Sequence, residues 1–566
     1  MYDSDPVPFF QSPGQVNPRD KKYVETKRGV RQYTCLAEDE EKVKLLTERA
    51  HEIGGDWQRA VGGEIFAVPI VTKLVSLGMV KFATLDPLGM GVEMDGGKPG
   101  WNDAMNGLPG LLGSGTPETF ELLRLLRFIR RVLAEYPERT IPIYTELHEL
   151  IEAVSGELKT YNDNGGGEDS SGAFGGAAGS WDVQDADLQY WDSVRSALEE
   201  YREAVRLHFS GGSIEYTASD LDAALAVMEE KMEAGIERAI TATDGETPCY
   251  FWYDVTKSHD VFNSTMDGLG RPHVAVDSMK VRTVPLFLEG PTRRMKILKT
   301  QEEQSALYQK VRHSTLYDAE LDMYKISESL VGQPEELGRM LAFPPGWLEN
   351  ESIWMHMSFK WYLEILKAGL YEEFWTEVKA GMPPFMDPAV YGRSPLEMSS
   401  FIVSSVFPDP AMWGSGYLAR LSGSTAELLS IVNLATAGPS PFSADDEGVS
   451  LQFEPALPSW LFTDDGTVSF TFMRGVNVTY HNPRGLDTWD DDFGDVSKMV
   501  VRLVGDGTVP GGDAGEDGGL GVLPSPADAI DPEDDIVVEM DSGVLPAPYA
   551  AMVRSRAVRA IDVHYD

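Results

Sequence analysis

The stretch FATLDPLGMGVEMDGGKPGWNDAMNGLPGLLGSG occupies residues 82–115 and decides how the first half of the chain is interpreted. It is rich in glycine and proline, which interrupt helices and strands, so it predicts a long structured loop. A helix is predicted directly after this loop, because Thr116 is a suitable N-cap and Pro117 fits the first helical position. Apolar side chains then recur at helical spacing, at Leu122, Leu126, Ile129 and Leu133.

Helical patterns dominate the chain up to about residue 440, and strand patterns dominate the rest. We expect further helices over about 38–53, 188–209, 218–240, 301–341 and 425–438. Two segments have the low-complexity or acidic, glycine-rich composition of surface insertions. The predicted organisation is a helical domain at 1–440 with an insertion at 162–187, followed by a C-terminal β domain at 441–566 with an insertion at 505–535.

The charge balance excludes several functional classes. The 566 residues include 48 Lys and Arg against 90 Asp and Glu, which gives a formal net charge of −42. A surface this acidic repels phosphate backbones and anionic lipid headgroups, so we expect neither a nucleic-acid nor a membrane partner. The sequence contains no apolar run of about eighteen residues and no secretory signal pattern, so we expect a soluble, cytoplasmic protein.

The cysteine content argues against disulfide and metal chemistry. Cys35 and Cys249 are the only two cysteines, which is too few for a disulfide framework. Neither has neighbours with metal-ligand spacing. We therefore expect no metal site.

The loop contains the first candidate site, in the segment KPGWNDAMNG at 98–107. Trp101 offers a flat face to a sugar or an aromatic ligand, and Asp103 supplies a titratable carboxyl group. A carboxyl group held beside an indole in a mostly dry cleft would have a raised pKa and could act as a general acid. The alternative is that Asp103 only caps the next helix or closes a turn.

Two later segments are candidate anion sites. His356 ends the segment NESIWMH at the start of an aromatic-rich helix, where it could contact an anion or a sugar hydroxyl. The alternative is a hydrogen-bonded core histidine. In RLSGST at 420–425, small hydroxyl residues and Gly423 precede a predicted helix, whose free N–H groups attract phosphate. The same residues also form an ordinary N-cap.

Taken together, these segments resemble one enzyme family. GWNDAMN, with Trp101-Asn102-Asp103, resembles the catalytic signature of inverting glycoside phosphorylases of the cellobiose phosphorylase type, that is, glycoside hydrolase family 94 and related β-glucan phosphorylases. ENESIWMHMSFKW resembles the family's histidine-bearing barrel helix, and RLSGSTAELL resembles its phosphate loop. SLQFEPALPSWLF resembles the passage that enters its C-terminal β domain. The residues in these motifs are more similar to those of relatives that act on long glycans, including β-1,3-glucans, than to those of cellobiose phosphorylase itself.

The resemblance implies a fold and a reaction. The fold would be mainly α, an (α/α)6 toroid-type catalytic barrel followed by a C-terminal β-sandwich or jelly-roll-like domain. Inorganic phosphate would attack the anomeric carbon of a β-glucan or oligosaccharide and release α-glucose 1-phosphate with inversion, so phosphate is a co-substrate and no cofactor is needed. The matching positions are Asp103 for the general acid, Trp101 and Asn102 for the sugar site, and His356, Ser422 and Gly423 for the phosphate site.

The chain also departs from the family. Family members have a β-sandwich and several barrel helices before the loop, whereas about a hundred residues precede Trp101 here. The chain therefore resembles the C-terminal portion of such an enzyme, with a barrel that is incomplete on its N-terminal side. An incomplete barrel exposes apolar faces, so we expect a homo-oligomer or a second chain that completes it. The family's phosphate-binding arginine has no counterpart that we can assign.

Two other functions stay open on the sequence alone. An inverting glycoside hydrolase on the same barrel would need a second carboxylate opposite Asp103, for which Glu351 and Glu397 are the nearest candidates. A catalytically inactive carbohydrate-binding subunit would agree with the missing N-terminal portion.

Overall fold

A computed structural model describes residues 1–2, 4–33, 35–166, 180–261, 265–418, 423–473, 475–504 and 536–566. The chain divides into two compact units. Unit 1 comprises Met1–Trp361 and Pro383–Leu421, and unit 2 comprises Tyr362–Met382 and Ser422–Asp566. Residues 167–179 of the predicted insertion at 162–187 lie outside the described residues, as does the whole predicted insertion at 505–535.

The α-helices of the described residues are α1 Arg19–Lys22, α2 Glu40–Glu48, α3 Ile70–Phe82, α4 Thr116–Glu135, α5 Thr145–Asp163, α6 Asp185–Ala204, α7 Ala218–Thr241, α8 Glu289–Met295, α9 Gln301–Arg312, α10 Met355–Lys367, α11 Tyr371–Gly381, α12 Pro388–Tyr391, α13 Gly423–Ala437 and α14 Tyr549–Arg554. In the described parts of the chain, no helix is both long and apolar enough to span a membrane.

The strands are β1 Val7–Pro8, β2 Gly14–Val16, β3 Tyr23–Thr26, β4 Gly29–Gln32, β5 Leu36–Glu38, β6 Ala67–Val68, β7 Val92–Glu93, β8 Gly113–Gly115, β9 Thr140–Tyr144, β10 Ser180–Asp182, β11 Ser213–Thr217, β12 Tyr250–Asp260, β13 Val274–Thr283, β14 Tyr317–Asp318, β15 Met323–Tyr324, β16 Ile353–Trp354, β17 Phe401–Ile402, β18 Gly416–Tyr417, β19 Phe442–Asp445, β20 Gly448–Gln452, β21 Thr467–Phe472, β22 Val476–His481, β23 Val496–Leu503, β24 Ile536–Met540, β25 Val544–Leu545 and β26 Val558–Tyr565.

The predicted mainly α fold with an (α/α)6 barrel is wrong. Helix accounts for 39% of the structure and strand for 24%, so the architecture is mixed α/β, and no closed barrel is found among the described residues. Much of the difference comes from β12 and β13, which are rich in β-branched and aromatic residues and form the centre of a five-stranded sheet, β10-β13-β12-β8-β7. The predicted helical stretch to residue 341 also ends early, at Arg312. Strands β14 and β15 pair with each other beyond it, and Gly332, Pro334 and Gly338 interrupt the rest.

The helix predicted after the loop is confirmed as α4. Its four predicted core residues are at most 5% exposed, and they pack with α3, α5 and α7 in one hydrophobic core. The N-cap is Gly115 and not Thr116, whose hydroxyl instead donates to the carbonyl oxygen of Pro248 at 2.6 Å. Arg127 and Arg130 of α4 both pair with Glu229 of α7, at 2.8 and 2.6 Å, so charge pairs reinforce the apolar packing.

Unit 2 contains a five-stranded sheet in the order β21-β22-β26-β23-β24 and a three-stranded sheet, β19-β20-β25. The β22–β26 pair is parallel, and the other pairs are antiparallel. Aromatic rings join the sheets: Phe442 stacks on Phe472 with 6.0 Å between ring centroids, and Phe453 contacts Tyr480 at 5.9 Å. These rings form the core of the unit, since burial of large aromatic side chains contributes strongly to packing.

The loop of residues 82–115 is held in unit 1 by the buried carboxylate of Asp86. Its oxygens accept hydrogen bonds from the backbone N–H groups of Met90 and Gly91, at 2.9 and 2.8 Å, and from the hydroxyl of Ser114 at 2.7 Å. Burial nevertheless raises the pKa of Asp86 to about 6. Because Ser114 lies at the far end of the loop, this one side chain joins the loop's beginning to its end.

Helix α7 supports the same loop from one side. Arg238 donates from Nη1 to the carbonyl oxygen of Leu88 at 2.6 Å. One turn earlier, Gly235 packs so closely against Gly89 that a Cβ atom at position 235 would overlap the Gly89 carbonyl oxygen. The missing side chain of Gly235 therefore sets the distance between the helix and the loop.

We predict opposite effects of alanine at two helical glycines. Gly235→Ala should lower the free energy of unfolding by about 1–3 kcal/mol, because the new methyl group must push the loop backbone away. Gly156→Ala in α5, where an added Cβ atom meets nothing within 4 Å, should raise it by up to about 1 kcal/mol through helix propensity alone. Urea unfolding of both variants measures the two shifts. Equal stability of the two variants would contradict the close contact between α7 and the loop.

Candidate functional site

Trp101, Asn102 and Asp103 lie at the start of a short 3-10 helix, Asp103–Met105, in the middle of the loop. Asn102 caps this turn, since its side-chain oxygen accepts from the N–H of Ala104 at 3.3 Å. Asn102 is buried, and its Nδ2 atom has no hydrogen-bond partner among the described residues. The asparagine therefore shapes the turn that presents Trp101 and Asp103.

Asp103 is ion-paired on the surface of unit 1. Its side chain is 68% exposed, and Oδ1 accepts from Nη2 of Arg339 at 2.9 Å. Arg339 also pairs with Glu349 at 2.7 Å, and the hydrogen bonds that Arg339 donates to Glu349 and Asp103 raise its pKa above the usual range. The carboxylate thus lies in an open ion-pair network and not in the dry cleft that the sequence suggested for it.

Trp101 contacts His356, although the two residues are far apart in the sequence. Their ring centroids are 5.4 Å apart, and the rings meet edge to face with an angle of 69°. His356 belongs to the first turn of α10, directly after β16. The loop and the histidine-bearing helix, which the sequence analysis assigned to one site, therefore meet in unit 1.

The other two residues predicted for the phosphate site are Ser422 and Gly423. Ser422 lies outside the described residues. Gly423 is the first residue of α13 and belongs to unit 2. Of the two carboxylates considered for a hydrolase, Glu351 is buried with Oε1 at 3.6 Å from Nζ of Lys325, and Glu397 pairs with Arg393 at 3.0 Å.

A cavity of ≈ 300 Å³ opens beside Trp101. Apolar side chains and charged side chains of α3, α4 and α8 share its wall. The lining residues are Lys81, Trp101, Pro117, Glu118, Glu121, Leu122, Leu125, Glu289 and Arg293. Two of its carboxyl groups, those of Glu118 and Glu289, were missed by the sequence analysis.

Glu118 lies against the loop backbone. Its Oε2 atom is buried, has no hydrogen-bond partner among the described residues, and would lie 2.5 Å from a Cβ atom at Gly115. Its Oε1 atom would lie 3.0 Å from a Cβ atom at Gly100, the residue before Trp101. Burial, with a further contribution from Glu289, raises the pKa of Glu118 to about 7.

Glu289 is more deeply buried but has partners. It is 3% exposed, and Oε2 accepts from the hydroxyl of Tyr250 at 2.8 Å. Arg293 lies at 3.5 Å from Oε1 and donates to Glu121 at 2.8 Å. Burial raises the pKa of Glu289. The cavity therefore contains two carboxyl groups whose pKa values are raised by burial.

The sequence contained a signal for one of these residues. Glu289 is a lone carboxylate at the end of the apolar run VPLFLEGP, where an unpartnered charge is unfavourable. Glu118 was hidden, because acidic residues in the first turn of a helix are common and stabilise it.

We predict that Glu118→Gln stabilises the protein at neutral and alkaline pH. The folded-state pKa of about 7 is above the ordinary value of 4.5, so the native carboxyl group keeps a proton that the unfolded chain releases. The wild type therefore loses stability as the pH rises from 4.5 through 7, whereas a neutral amide does not. The gain should be negligible near pH 4 and reach at most about 3 kcal/mol at pH 8.

Urea unfolding at several pH values measures this difference. Glu138→Gln, at an exposed position, is the matched control and should show no pH-dependent gain. A Glu118→Gln variant that tracks the wild type at every pH would show that the carboxyl group of Glu118 is solvated in the native state.

Comparison with known proteins adds no family assignment. A scan against protein-family models finds no match, and a search of curated proteins finds no significant match.

Proposed function

We propose that this chain is a glycoside phosphorylase that cleaves β-glucosidic bonds of β-glucans or their oligosaccharides with inorganic phosphate and releases α-glucose 1-phosphate with inversion. The contact between Trp101 and His356 is the observation that carries this proposal, because it joins two sequence-distant segments that resemble the sugar and phosphate sites of one family. The reaction is reversible, so the same site would extend a β-glucan from α-glucose 1-phosphate.

In the proposed reaction Asp103 is the general acid. It gives its proton to the glycosidic oxygen as the bond from that oxygen to the anomeric carbon breaks. Arg339 donates hydrogen bonds to both Asp103 and Glu349, so a guanidinium lies beside the carboxylate that forms when Asp103 has given up its proton.

Phosphate supplies the nucleophile. One of its oxygens bonds to the anomeric carbon from the face opposite the leaving oxygen, which inverts the configuration. A hydrolase needs a second carboxylate to activate water, whereas phosphate already carries the negative charge. His356, beside Trp101, would contact the phosphate.

We predict that Asp103→Asn lowers kcat/KM for phosphorolysis by about 10²–10⁴-fold, because the amide has no acidic proton to donate. The assay measures α-glucose 1-phosphate released from laminari- and cello-oligosaccharides in phosphate buffer. Asp56→Asn, at an exposed position, is the matched control and should retain wild-type activity.

Other results would point to other functions. Release of free glucose that does not depend on phosphate would contradict the phosphorylase and indicate an inverting hydrolase. Oligosaccharide binding with no turnover would indicate a catalytically inactive carbohydrate-binding subunit.

A further inference from the structure

We propose that the cavity beside Trp101 binds one neutral sugar ring and that Glu118 recognises a hydroxyl group of that ring. The choice of a sugar rests on the proposed function, and the role of Glu118 is new. The proposal makes Glu118 a specificity-determining residue on the wall of the site and leaves the proton transfer to Asp103.

The size and lining of the cavity suit a single ring. Its volume of ≈ 300 Å³ is at the lower end of the range of about 300–1,000 Å³ that small-molecule sites occupy, which suits one ring. Trp101, Leu122 and Leu125 supply an apolar surface for the C–H face of a sugar. Glu118 and Glu289 supply polar groups for its hydroxyl rim.

The charges of the lining favour a neutral ligand. An anion would meet the carboxyl groups of Glu118 and Glu289, and a cation would meet Lys81 and Arg293. Bringing a charged ligand close to a like charge in a partly buried site is costly. A hydroxyl group avoids both penalties because it donates and accepts hydrogen bonds.

Glu118 is the lining carboxyl group with hydrogen-bonding capacity to spare. Glu289 already accepts from Tyr250, and Glu121 already accepts from Arg293 and Lys296. The Oε2 atom of Glu118 is buried without a hydrogen bond among the described residues, which costs free energy in the empty site. Glu118 also lines the cavity, so a ligand hydroxyl there would meet a carboxyl group that has no ion pair to break within the described parts of the chain.

The proton on Glu118 makes it adaptable. Since burial raises its pKa to about 7, both protonation states are populated near neutral pH. The acid form can donate to a hydroxyl oxygen, and the carboxylate can accept from a hydroxyl hydrogen. The same carboxyl group lies against Gly100, the residue before Trp101. It would therefore bind a ring that also contacts the Trp101 indole.

Calorimetric titration of the full chain with glucose, laminaribiose and cellobiose in phosphate-free buffer tests the proposal. Wild type should bind at least one of these sugars, and Glu118→Ala should weaken that binding at least tenfold. Glu118→Gln keeps a donor and an acceptor, so its affinity should stay within about threefold of wild type, or about 0.7 kcal/mol. The wild-type affinity should rise between pH 6 and 8, because a hydrogen bond to the charged carboxylate is stronger than one to the neutral acid, and the Glu118→Gln affinity should not change.

Glu138→Gln is the matched control and should bind as wild type does. The proposal is overturned if no sugar binds, if Glu118→Ala binds as well as wild type, or if the pH dependence persists in Glu118→Gln. The absence of phosphate separates this test from the proposed function. Sugar binding that depends on Glu118 without any phosphorolysis would refute the phosphorylase alone, and phosphorolysis with unchanged binding in Glu118→Ala would refute the role of Glu118 alone.

Discussion

The buried carboxylate of Asp86 is the constraint on which the site in unit 1 depends. It satisfies two backbone N–H groups near the start of the loop and the hydroxyl of Ser114 near its end. Without Asp86 these donors would be buried and unpaired, at a cost of about 1–3 kcal/mol each. Trp101 and Asp103 lie on the part of the loop between the two joined points.

The carboxyl groups around the site are stabilised in two ways, by ion pairing with an arginine or by protonation. The chain carries 90 acidic residues against 48 basic ones, so there are too few basic side chains to pair with every carboxylate. Arg339 serves Asp103 and Glu349 together, and these carboxylates stay at or near the surface. Glu118 has no such partner within the described residues, and burial favours its neutral form instead. The loop therefore has an ion pair at Asp103, and behind its Gly100 lies Glu118, a carboxyl group with a raised pKa.

Local features of the fold could be predicted from the sequence, and long-range ones could not. Helices α4 and α7 follow from apolar periodicity and begin within a residue of the predicted starts, since that pattern is a property of the segment itself. Strands β7 and β8 lie inside the glycine-rich loop and depend on pairing with distant residues. The ion pair of Asp103 with Arg339 likewise has no local signal. The contact of Trp101 with His356 was anticipated only through a family resemblance.

The two buried cysteines allow opening of the loop region to be followed by thiol alkylation, without an introduced label. Cys35 and Cys249 are both fully buried, and burial raises the pKa of Cys35 to about 11 and that of Cys249 well above its usual range. Cys35 lies behind Gly96 of the loop, and the carbonyl oxygen of Cys249 accepts from the N–H of Thr116 at the start of α4. A thiol reagent reaches either sulfur only when its surroundings open. The alkylation rate of Cys35 thus reports on opening of the loop, and that of Cys249 reports on opening at the start of α4.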